Sequence, residues 1–372
     1  MNVPHCPFCR RRLHRGGHTS SGKTRWRCRV CGISQVQQID KRTHQFKQFM
    51  KWLLGRTLMR DMPGGGRTFR RHTAWCWDLW PVFPTVDEVH PVVFIDGIYL
   101  GRQAVVLIAS TPQHVLGWYL AKTEHSGAYQ GLMKRIAAPY MVVSDGGTGF
   151  AKALRTQWPD TKHQRCLVHA SRRVTQFTTQ RPKTAAGRDL LVIARALTRV
   201  KSVQQRDEWL SLYAKWRDSY RQFLAEKTVF NEVRSEFTHQ RLRRARASLD
   251  RLVAAGTLFT FLDADNEYAN LPSTNNQIEG GVNAQLRRLL RTHKGLSLDR
   301  RIKAILWWCY YKTERPLPAP ELLRITPMGQ DVLAVYRRQG PTGQALPGAP
   351  EYGQAVVWHE LHNSDPYRLD WD

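Results

Sequence analysis

The chain has 372 residues, with 57 Lys and Arg against 30 Asp and Glu and a formal net charge of +27. A hydrophobic content of 42% suits two or three packed cores and excludes a wholly disordered chain. The longest apolar run, 304–311, is too short to span a bilayer, and the N-terminus lacks the apolar stretch of a secretory signal. These features predict a cytoplasmic protein with no membrane partner, whose positive charge suits a nucleic acid.

Four of the seven cysteines form two C-x2-C pairs near the N-terminus. Cys6 and Cys9 make the first pair, Cys28 and Cys31 make the second, and 18 residues separate the two. This spacing is typical of a tetrahedral zinc site, in which each pair bends so that two thiolates converge. The sequence therefore predicts a zinc ribbon over residues 1–40 that holds one structural Zn²⁺. A redox site or a chance pairing is the alternative.

Basic residues are concentrated next to this ribbon, since residues 1–80 hold 17 Lys and Arg against 3 Asp and Glu. Helical spacing of apolar residues predicts three short helices, over 43–54, 58–62 and 69–80. Thr68 is the expected N-cap of the third helix, and Arg70 and Arg71 lie on its first turn. This pattern favours a helix-turn-helix DNA-binding domain over 41–85, in which both arginines contact DNA. A basic helical linker with a Trp-rich packing face is the alternative.

From residue 91 onward the periodicity changes to that of alternating strands and helices. Three consecutive β-type segments predict a meander, and two further strands are each followed by a helix. In chain order the predicted elements cover 92–100, 103–110, 114–122, 125–136, 140–144, 148–157, 162–166 and a helix from about 168. The order βββαβαβα is that of an RNase H-like α/β fold. We expect the first part of this catalytic core over 90–183.

The C-terminal half is predicted to be mostly helical. Residues 184–262 are charged, poor in Gly and Pro, and have helical periodicity throughout. Helical patterns resume at 275–291 and 299–314. The predicted organisation is an all-helical insertion, the final core helices and a C-terminal extension, over 184–270, 271–315 and 316–372.

Two aspartates lie at positions that suit a bound cation. One lies inside an apolar strand, where burying its charge costs free energy, and the other lies before a turn that leaves its carboxylate accessible to a ligand. Asp96 interrupts the apolar strand 92–100, where burial costs several kcal/mol unless the charge is paired or bound to a cation. Asp145 ends another apolar strand and is followed at once by Gly146 and Gly147, which allow a sharp turn. A buried salt bridge for Asp96 and a turn-forming role for Asp145 are the alternatives.

The third candidate acid, Glu279, lies on a predicted amphipathic helix. Glu279, Asn283, Arg287 and Arg291 recur every four residues beside an apolar stripe, which places them on one face. An acid and an amide followed by two arginines suit a metal ligand with phosphate-binding neighbours, so we expect Arg287 and Arg291 to contact DNA. A solvated helix face, with Glu279 as a first-turn acid, is the alternative.

Three such carboxylates could together hold two Mg²⁺ or Mn²⁺ ions, since hard cations prefer oxygen ligands. Two ions about 4 Å apart support in-line displacement at phosphorus by activating the attacking oxygen and stabilising the leaving one. The predicted chemistry is phosphodiester hydrolysis or transesterification.

Four short motifs resemble those of mutator-type DDE transposases of bacterial insertion sequences, in the branch with an N-terminal zinc ribbon. The motifs are Phe94-Ile-Asp96-Gly, Val143-Ser-Asp145-Gly-Gly, Gln164-Arg-Cys166-Leu-Val-His169-Ala-Ser-Arg172 and Asn275-Asn-Gln-Ile-Glu279-Gly. They span roughly residues 90–295. Arg173 departs from the Asn that often follows the third motif. The family's helical insertion accounts for the 133 residues between Asp145 and Glu279.

The resemblance implies that Asp96, Asp145 and Glu279 are the catalytic triad and that Cys166, His169 and Arg172 shape the site. From the residues alone, Cys166 and His169 could also be half of a second zinc site. The implied activity is nicking at the terminal inverted repeats of double-stranded DNA, followed by attack of the freed 3′-OH on target DNA. A homodimer is expected because two DNA ends must be paired, and a nucleoid-associated location in a bacterial cytoplasm follows.

Two other classes of function fit part of the pattern. A domesticated, inactive transposase acting as a sequence-specific DNA-binding regulator would use only the basic N-terminal part. A stand-alone RNase H-fold nuclease or resolvase would use the acids, but it leaves the insertion and the N-terminal DNA-binding modules unexplained.

Overall fold

The computed structural model of the protein describes residues 4–36, 41–81, 85–230, 235–275 and 278–326. The chain folds into two compact units, the first ending at Lys51 and the second beginning at Trp52.

The first unit is built on a small antiparallel sheet. Its strands are β1 (His14–His18), β2 (Thr24–Arg27) and β3 (Ser34–Val36), in the order β1-β2-β3. Around this sheet, Cys6, Leu13 and Cys28 form a small cluster of buried apolar side chains. Because so few apolar groups are buried, the sheet needs another source of stability, such as a metal.

A helical region follows, differing in detail from the prediction. Helix α1 (Lys41–Leu54) ends before Gly55 as predicted, and a 3₁₀ turn covers Met59–Asp61. Helix α2 (Arg67–Thr73) is shorter than predicted and continues only as a 3₁₀ segment, Ala74–Asp78. The expected capping by Thr68 is wrong. The left-handed Gly66 (φ 82°) precedes the first helical residue instead, so the helix begins before Thr68.

A five-stranded mixed sheet forms the centre of the second unit. Its strands are β4 (Val92–Leu100), β5 (Ala104–Ser110), β6 (Val115–Ala121), β7 (Met141–Ser144) and β8 (Lys162–Arg165). The order is β6-β5-β4-β7-β8. The β4–β5 and β5–β6 pairs are antiparallel, while β7 pairs in parallel with both β4 and β8. The predicted meander and both later strands are confirmed to within one residue at their ends.

Two strands of the sheet are buried on both faces, which requires other elements to cover them. Every residue of β5 and β6 is buried, as expected for strands enclosed on two sides. Helices α3 (Ser126–Met133) and α4 (Thr148–Gln157) pack against each other, and α3 also contacts β5 and β6. The side chain of His125 caps α3 by accepting a hydrogen bond from the Ala128 N–H.

The insertion packs as a separate layer of helices joined to the core through α5 (Leu167–Thr178). Helices α6 (Ala185–Leu197) and α8 (Gln240–Ala254) contact α5, and α7 (Val203–Ser219) contacts α6. Their shared core includes Leu190, Trp209, Tyr213 and Leu249. The Trp209 indole N–H donates to the Ile193 carbonyl, which satisfies the polar atom of this buried ring.

The insertion is not entirely helical, which corrects the prediction. Strands β9 (Lys227–Val229) and β10 (Ser235–Phe237) pair antiparallel. Because this stretch is rich in charged residues, its sequence does not show the apolar alternation that would predict two strands. The cation–π contact of Arg243 with the Phe237 ring, 3.5 Å from its centroid, ties the hairpin to α8.

The last described elements return to the core. A π-helix (Ile278–Asn283) leads into α9 (Ala284–Thr292), followed by α10 (Leu298–Tyr310) and α11 (Ala319–Ile325). The predicted helix over 275–291 thus has a π-helical first part, and residues 276–277 lie outside the described residues. The predicted C-terminal extension also lies largely outside them. None of the described helices has the length and apolarity needed to cross a membrane.

Substitution in α6 tests whether the insertion has its own core. Leu190→Ala should lower the free energy of unfolding by about 2–5 kcal/mol, because the removed atoms are fully buried. Val192→Ala on the same helix is the matched control, since that side chain is 63% exposed and should change stability by less than about 0.5 kcal/mol. Urea unfolding followed by circular dichroism measures both, and equal effects would contradict the packing described.

Candidate active site and cysteine cluster

The two predicted aspartates lie on adjacent parallel strands. Ile95 of β4 and Ser144 of β7 are the last registered pair, and Asp96 and Asp145 follow them directly. Paired strands are about 4.8 Å apart, so the two backbones approach closely at this point. Both aspartates are half-buried. The pairing of β4 with β7 therefore brings Asp96 and Asp145 close together along the backbone.

The alternation of side chains along β4 and β7 predicts that the two carboxylates lie on one face of the sheet. Phe94 and Val143 are a registered pair and belong to one cluster of buried side chains. Asp96 and Asp145 each follow two residues later, and residues two apart on a strand point to the same side. Two acidic residues therefore follow this cluster at the carboxyl ends of β4 and β7.

The segment that carries Glu279 is bound to the same strand. The Asn283 side-chain amide donates a hydrogen bond to Asp96 Oδ2 over 2.7 Å. Asp96 Oδ1 accepts a second hydrogen bond, of 2.8 Å, from the Gly97 backbone N–H. Glu279 lies in the π-helix four residues before Asn283. Its backbone is therefore next to β4, while its side chain lies outside the described residues.

Cys166 connects the sheet to the chain that leads into this π-helix. Its thiol is buried, and its Sγ accepts a hydrogen bond of 3.2 Å from the Asn275 backbone N–H. The Cys166 N–H donates to the Ser144 carbonyl, and the next N–H, of Leu167, donates to the Ser273 carbonyl. Cys166 therefore joins β7 to residues 273–275. The site-shaping role that the resemblance implies for Cys166 stays a prediction.

The loop after β7 is held by a close approach of Arg165. Gly146 has φ 65°, and a Cβ at that position would collide with Nη1 of Arg165. Two nitrogens of this guanidinium, Nε and Nη1, are buried without a hydrogen-bond partner among the described residues. Burial lowers the pKa of Arg165, whereas the neighbouring Asp145 acts in the opposite direction. A positive charge thus lies beside the second aspartate.

A third acid, Glu124, interacts with Asp145 and lies on the side of β4 to which Gly97 points. The Tyr129 hydroxyl donates to Glu124 Oε2 over 2.8 Å, and Glu124 Oε1 lies against Gly97, where a Cβ would collide with it. Burial raises the pKa of the Glu124 carboxyl, and Asp145 raises it further, although the Tyr129 hydrogen bond acts in the opposite direction. A cation bound nearby would act against this shift and favour the ionised carboxylate.

The last residue of β7, Ser144, forms a hydrogen bond with a neutral histidine. The Ser144 hydroxyl and Nε2 of His163 are 3.0 Å apart. Burial, with a smaller contribution from Arg165, lowers the pKa of His163 to about 4. At neutral pH this side chain is therefore uncharged, and it serves as a hydrogen-bond partner for Ser144.

The other predicted site residues are placed as follows. His169 is half-buried and Arg172 exposed on α5, and Arg287 and Arg291 are exposed on α9, which continues the π-helix. Arg70 and Arg71 are exposed on α2.

The four N-terminal cysteines converge as the spacing predicted. The Sγ atoms of Cys6 and Cys31 are 3.4 Å apart, those of Cys9 and Cys28 are 3.4 Å apart, and all four lie within 4.8 Å of one another. A tetrahedron with Zn–S bonds near 2.3 Å has edges of about 3.8 Å. All four thiols are free of disulfides. The donor set and its geometry fit a zinc ion.

The two cysteine pairs have the same backbone geometry. In each pair the residue four positions after the first cysteine donates to its carbonyl, Arg10 to Cys6 and Gly32 to Cys28. Both residues have positive φ, 54° and 72°. Backbone N–H groups lower the pKa of the Cys28 thiol to about 6, with that of Cys31 contributing most. The thiolate that a metal requires is thereby favoured.

Elsewhere in the described part of the chain, no further group of three or more His, Cys, Asp or Glu side chains has metal-ligand spacing. The possible zinc site at Cys166 and His169 therefore lacks further ligands among those residues. Cys166 is instead used in the hydrogen bonds described above.

The sequence alone did not indicate that Glu124, Tyr129 and Arg165 lie near the predicted aspartates. Glu124 and Tyr129 belong to no motif, and only packing of α3 under the sheet brings them to Gly97. Arg165 lies within the motif Gln164-Arg-Cys166, but its contact with Gly146 depends on the neighbouring strand.

Comparison with known proteins identifies a related family. Residues 85–229 match the family model described as transposase, Mutator family. The matched range contains Asp96, Asp145 and the Cys166–Arg172 motif and ends before Glu279. The resemblance to mutator-type transposases of insertion sequences is confirmed.

Two curated relatives agree with this family. The chain is 25% identical over 156 residues to the transposase for insertion sequence element IS905 of Lactococcus lactis subsp. lactis (strain IL1403), covering 38% of this chain and 39% of that protein. It is 25% identical over 125 residues to a probable transposase for an insertion sequence element of Corynebacterium diphtheriae, covering 28% and 36%. The chain thus spans less than two fifths of the length of these relatives.

The two glycines after Asp145 should differ sharply in tolerance. Gly146→Ala should lower the free energy of unfolding by about 2–3 kcal/mol, because a positive φ and the Arg165 guanidinium oppose a Cβ. Gly147→Ala is the matched control, since its Cβ would meet nothing within 4 Å, and it should cost less than about 1 kcal/mol. Chemical unfolding measures both, and a tolerated alanine at 146 would contradict the contact with Arg165.

The cysteine cluster should hold one zinc ion per chain. Cys28→Ser should lose that zinc, because three thiolates bind it more weakly than four. Cys309→Ala, at a buried thiol of α10, is the control that should retain it. Metal content of the purified proteins by mass spectrometry is the measurement, and a wild-type protein free of zinc when purified without chelators would refute the site.

Proposed function

We propose that this protein is a DDE transposase that binds the ends of an insertion sequence and catalyses metal-dependent nicking and strand transfer of DNA. Similarity to the Mutator family and to two insertion-sequence transposases supports a transposase function. The finer assignment is supported by the pairing that makes Asp96 and Asp145 neighbours and by the hydrogen bond that joins the Glu279-bearing π-helix to Asp96.

An RNase H-like identity of the core is part of this proposal. Its support is the sheet order β6-β5-β4-β7-β8, with three antiparallel strands followed by two parallel ones. The predicted triad would then lie on the first strand, after the fourth strand and on a late helix. The insertion enters the chain between the second and third acids.

In the proposed reaction, Asp96, Asp145 and Glu279 act as ligands rather than as nucleophiles. Hydrogen bonds from Asn283 and Gly97 hold the plane of the Asp96 carboxylate. The Arg165 guanidinium lies beside Asp145, and the two side chains interact electrostatically. When bound, two Mg²⁺ or Mn²⁺ ions would supply activation of the attacking oxygen and stabilisation of the leaving one.

DNA recognition is assigned to the basic N-terminal part. The zinc ribbon and the helices α1 and α2, with exposed Arg70 and Arg71, would hold the terminal inverted repeats as a ribbon and a helix-turn-helix. Arg287 and Arg291 on α9 would contact phosphates near the acids. A homodimer would pair two ends, and target DNA would receive the freed 3′-OH.

Asp145→Asn should retain DNA binding but abolish cleavage. The amide cannot bind a divalent cation as a carboxylate does, whereas binding depends mainly on basic residues. The test compares nicking of a labelled duplex carrying the element's end, in Mg²⁺, with binding measured in Ca²⁺. Asp160→Asn, away from the site in the turn before β8, is the control that should retain full activity. Cleavage by Asp145→Asn would remove this residue from the metal site.

The same duplex discriminates the competing functions. Specific nicking followed by joining to a second duplex supports the transposase. Nicking without joining would indicate a nuclease or resolvase, and sequence-specific binding without either would indicate a regulator.

Cys28→Ser should separate end recognition from cleavage. We expect it to weaken binding to the element's end more than it weakens cleavage of unrelated DNA, because the cysteine cluster lies in the first unit and the acids in the second. Paired binding and cleavage assays on the two duplexes measure this. An equal loss of both would mean that the ribbon only stabilises the fold.

A further inference from the structure

Helix α8 of the insertion and helix α5, on which the insertion packs, form a positively charged surface. Its members are exposed arginines that follow the two packed helices, and we call this surface the basic ridge: Arg173 on α5 and Arg241, Arg244 and Arg251 on α8. The two helices are in direct contact, and Arg173 and Arg241 both bind Gln176, which places these two side chains on one surface. Arg244 and Arg251 lie on α8 at helical spacing from Arg241.

The arginines of the ridge are held in place by neutral groups. Arg173 Nη1 donates to the Gln176 side-chain oxygen, and Arg241 Nη2 donates to the Gln176 carbonyl, each over 3.0 Å. The Arg173 guanidinium also lies 4.7 Å from the centroid of the Phe177 ring. These contacts orient the guanidinium groups without neutralising their charge.

Acidic side chains are nearly absent from the ridge. Helix α5 contains no Asp or Glu, and α8 contains only Asp250. That carboxylate accepts a hydrogen bond of 2.9 Å from the Tyr213 hydroxyl and pairs with Arg217 and Arg246, at 3.5 and 3.4 Å. Its charge is therefore already compensated, and it leaves the ridge positive.

The exposed side of α7 has a different character. Arg206 pairs with Asp207 at 2.8 Å, and Arg221 pairs with Asp218 at 2.7 Å. Positive charge at these two pairs is balanced locally, whereas the contacts of Arg173 and Arg241 are with neutral groups. A surface whose arginines keep their charge in this way suits a polyanion.

The ridge starts close to the candidate active site. The backbone N–H of Cys166, just before α5, donates to the Ser144 carbonyl, and Asp145 is the next residue. At 1.5 Å per helical residue, Arg173 lies about 9 Å along α5 from that point, and Arg241 to Arg251 cover about 15 Å along α8. At 3.4 Å per base pair, that length corresponds to about four base pairs of duplex.

We propose that the basic ridge binds the phosphate backbone of the duplex adjoining the cleavage point. This inference rests on the proposed function and deepens it by assigning the insertion a DNA contact. Arginine suits this role because its planar fork of N–H donors matches two phosphate oxygens. The contact is independent of base sequence, since the ridge offers charge and no groove-reading element.

Two triple variants with the same change in charge test the ridge. The first is Arg173→Gln, Arg241→Gln and Arg244→Gln combined. The matched control is Arg188→Gln, Arg199→Gln and Arg221→Gln combined, at exposed positions on α6, after α6 and after α7. A third variant replaces the same three ridge arginines by Lys and keeps their charge.

The measurement is equilibrium binding, at several salt concentrations in Ca²⁺, to a duplex spanning the junction of the element's end and its flank. The slope of log K against log salt changes by about 0.9 for each phosphate contact. The ridge Gln variant should lower the slope by about 2.7 and weaken binding at least tenfold at about 0.1 M salt. The control and the Lys variant should retain the wild-type slope.

Phosphate ethylation interference provides the second readout. Wild-type protein should show interference at phosphates beside the cleavage point, and the ridge Gln variant should lose it there while keeping interference within the terminal repeat. Equal slopes for the ridge Gln variant and the control, or unchanged interference, would overturn the ridge as a DNA-binding surface.

Nicking by the wild-type protein in Mg²⁺ separates this inference from the proposed function. If the wild-type protein nicks the element's end but the two triple Gln variants bind the duplex equally well, only the assignment of the ridge fails. If the ridge variant shows the reduced slope but the wild type nicks no element end, the transposase proposal fails and the ridge remains a DNA-binding surface.

Discussion

The parallel pairing of β4 with β7 is the constraint on which the candidate site depends. A parallel pair aligns the two strands in one direction, so their carboxyl ends lie at the same edge of the sheet. The register of Ile95 with Ser144 then makes Asp96 and Asp145 neighbours, although 48 residues separate them in the sequence. A shift of one residue would send one of the two side chains to the opposite face of the sheet.

Close backbone approaches at two glycines set the charge around this pair. Arg165 occupies the space beside Gly146, and Glu124 occupies the space beside Gly97. The Arg165 guanidinium interacts electrostatically with Asp145, while burial raises the pKa of Glu124. In the proposed function, these acids and the guanidinium would suit a divalent cation and a phosphate group arriving together.

The distant parts of the chain reach the site through a few specific contacts. Cys166 holds the segment before the π-helix, and Asn283 at the end of that helix binds Asp96. The insertion between them folds around its own core and packs on α5, so it can be long without disturbing the sheet. Because α5 begins directly after β8, the same helix that supports the insertion also brings the basic ridge to the edge of the sheet.

The sequence by itself determined what depends on local pattern and chemistry. Strands such as β4 and β7 were predictable because apolar alternation reports burial, and the cysteine spacing predicted a four-thiol cluster whose convergence the structure then displays. The short hairpin of β9 and β10 escaped prediction because charged residues obscured its period. Only the tertiary structure decided that Glu124 and Arg165 flank the aspartates and that Cys166 anchors Asn275. Those contacts join segments far apart in the chain, and their geometry follows from strand register and helix packing, which no local pattern of residues encodes.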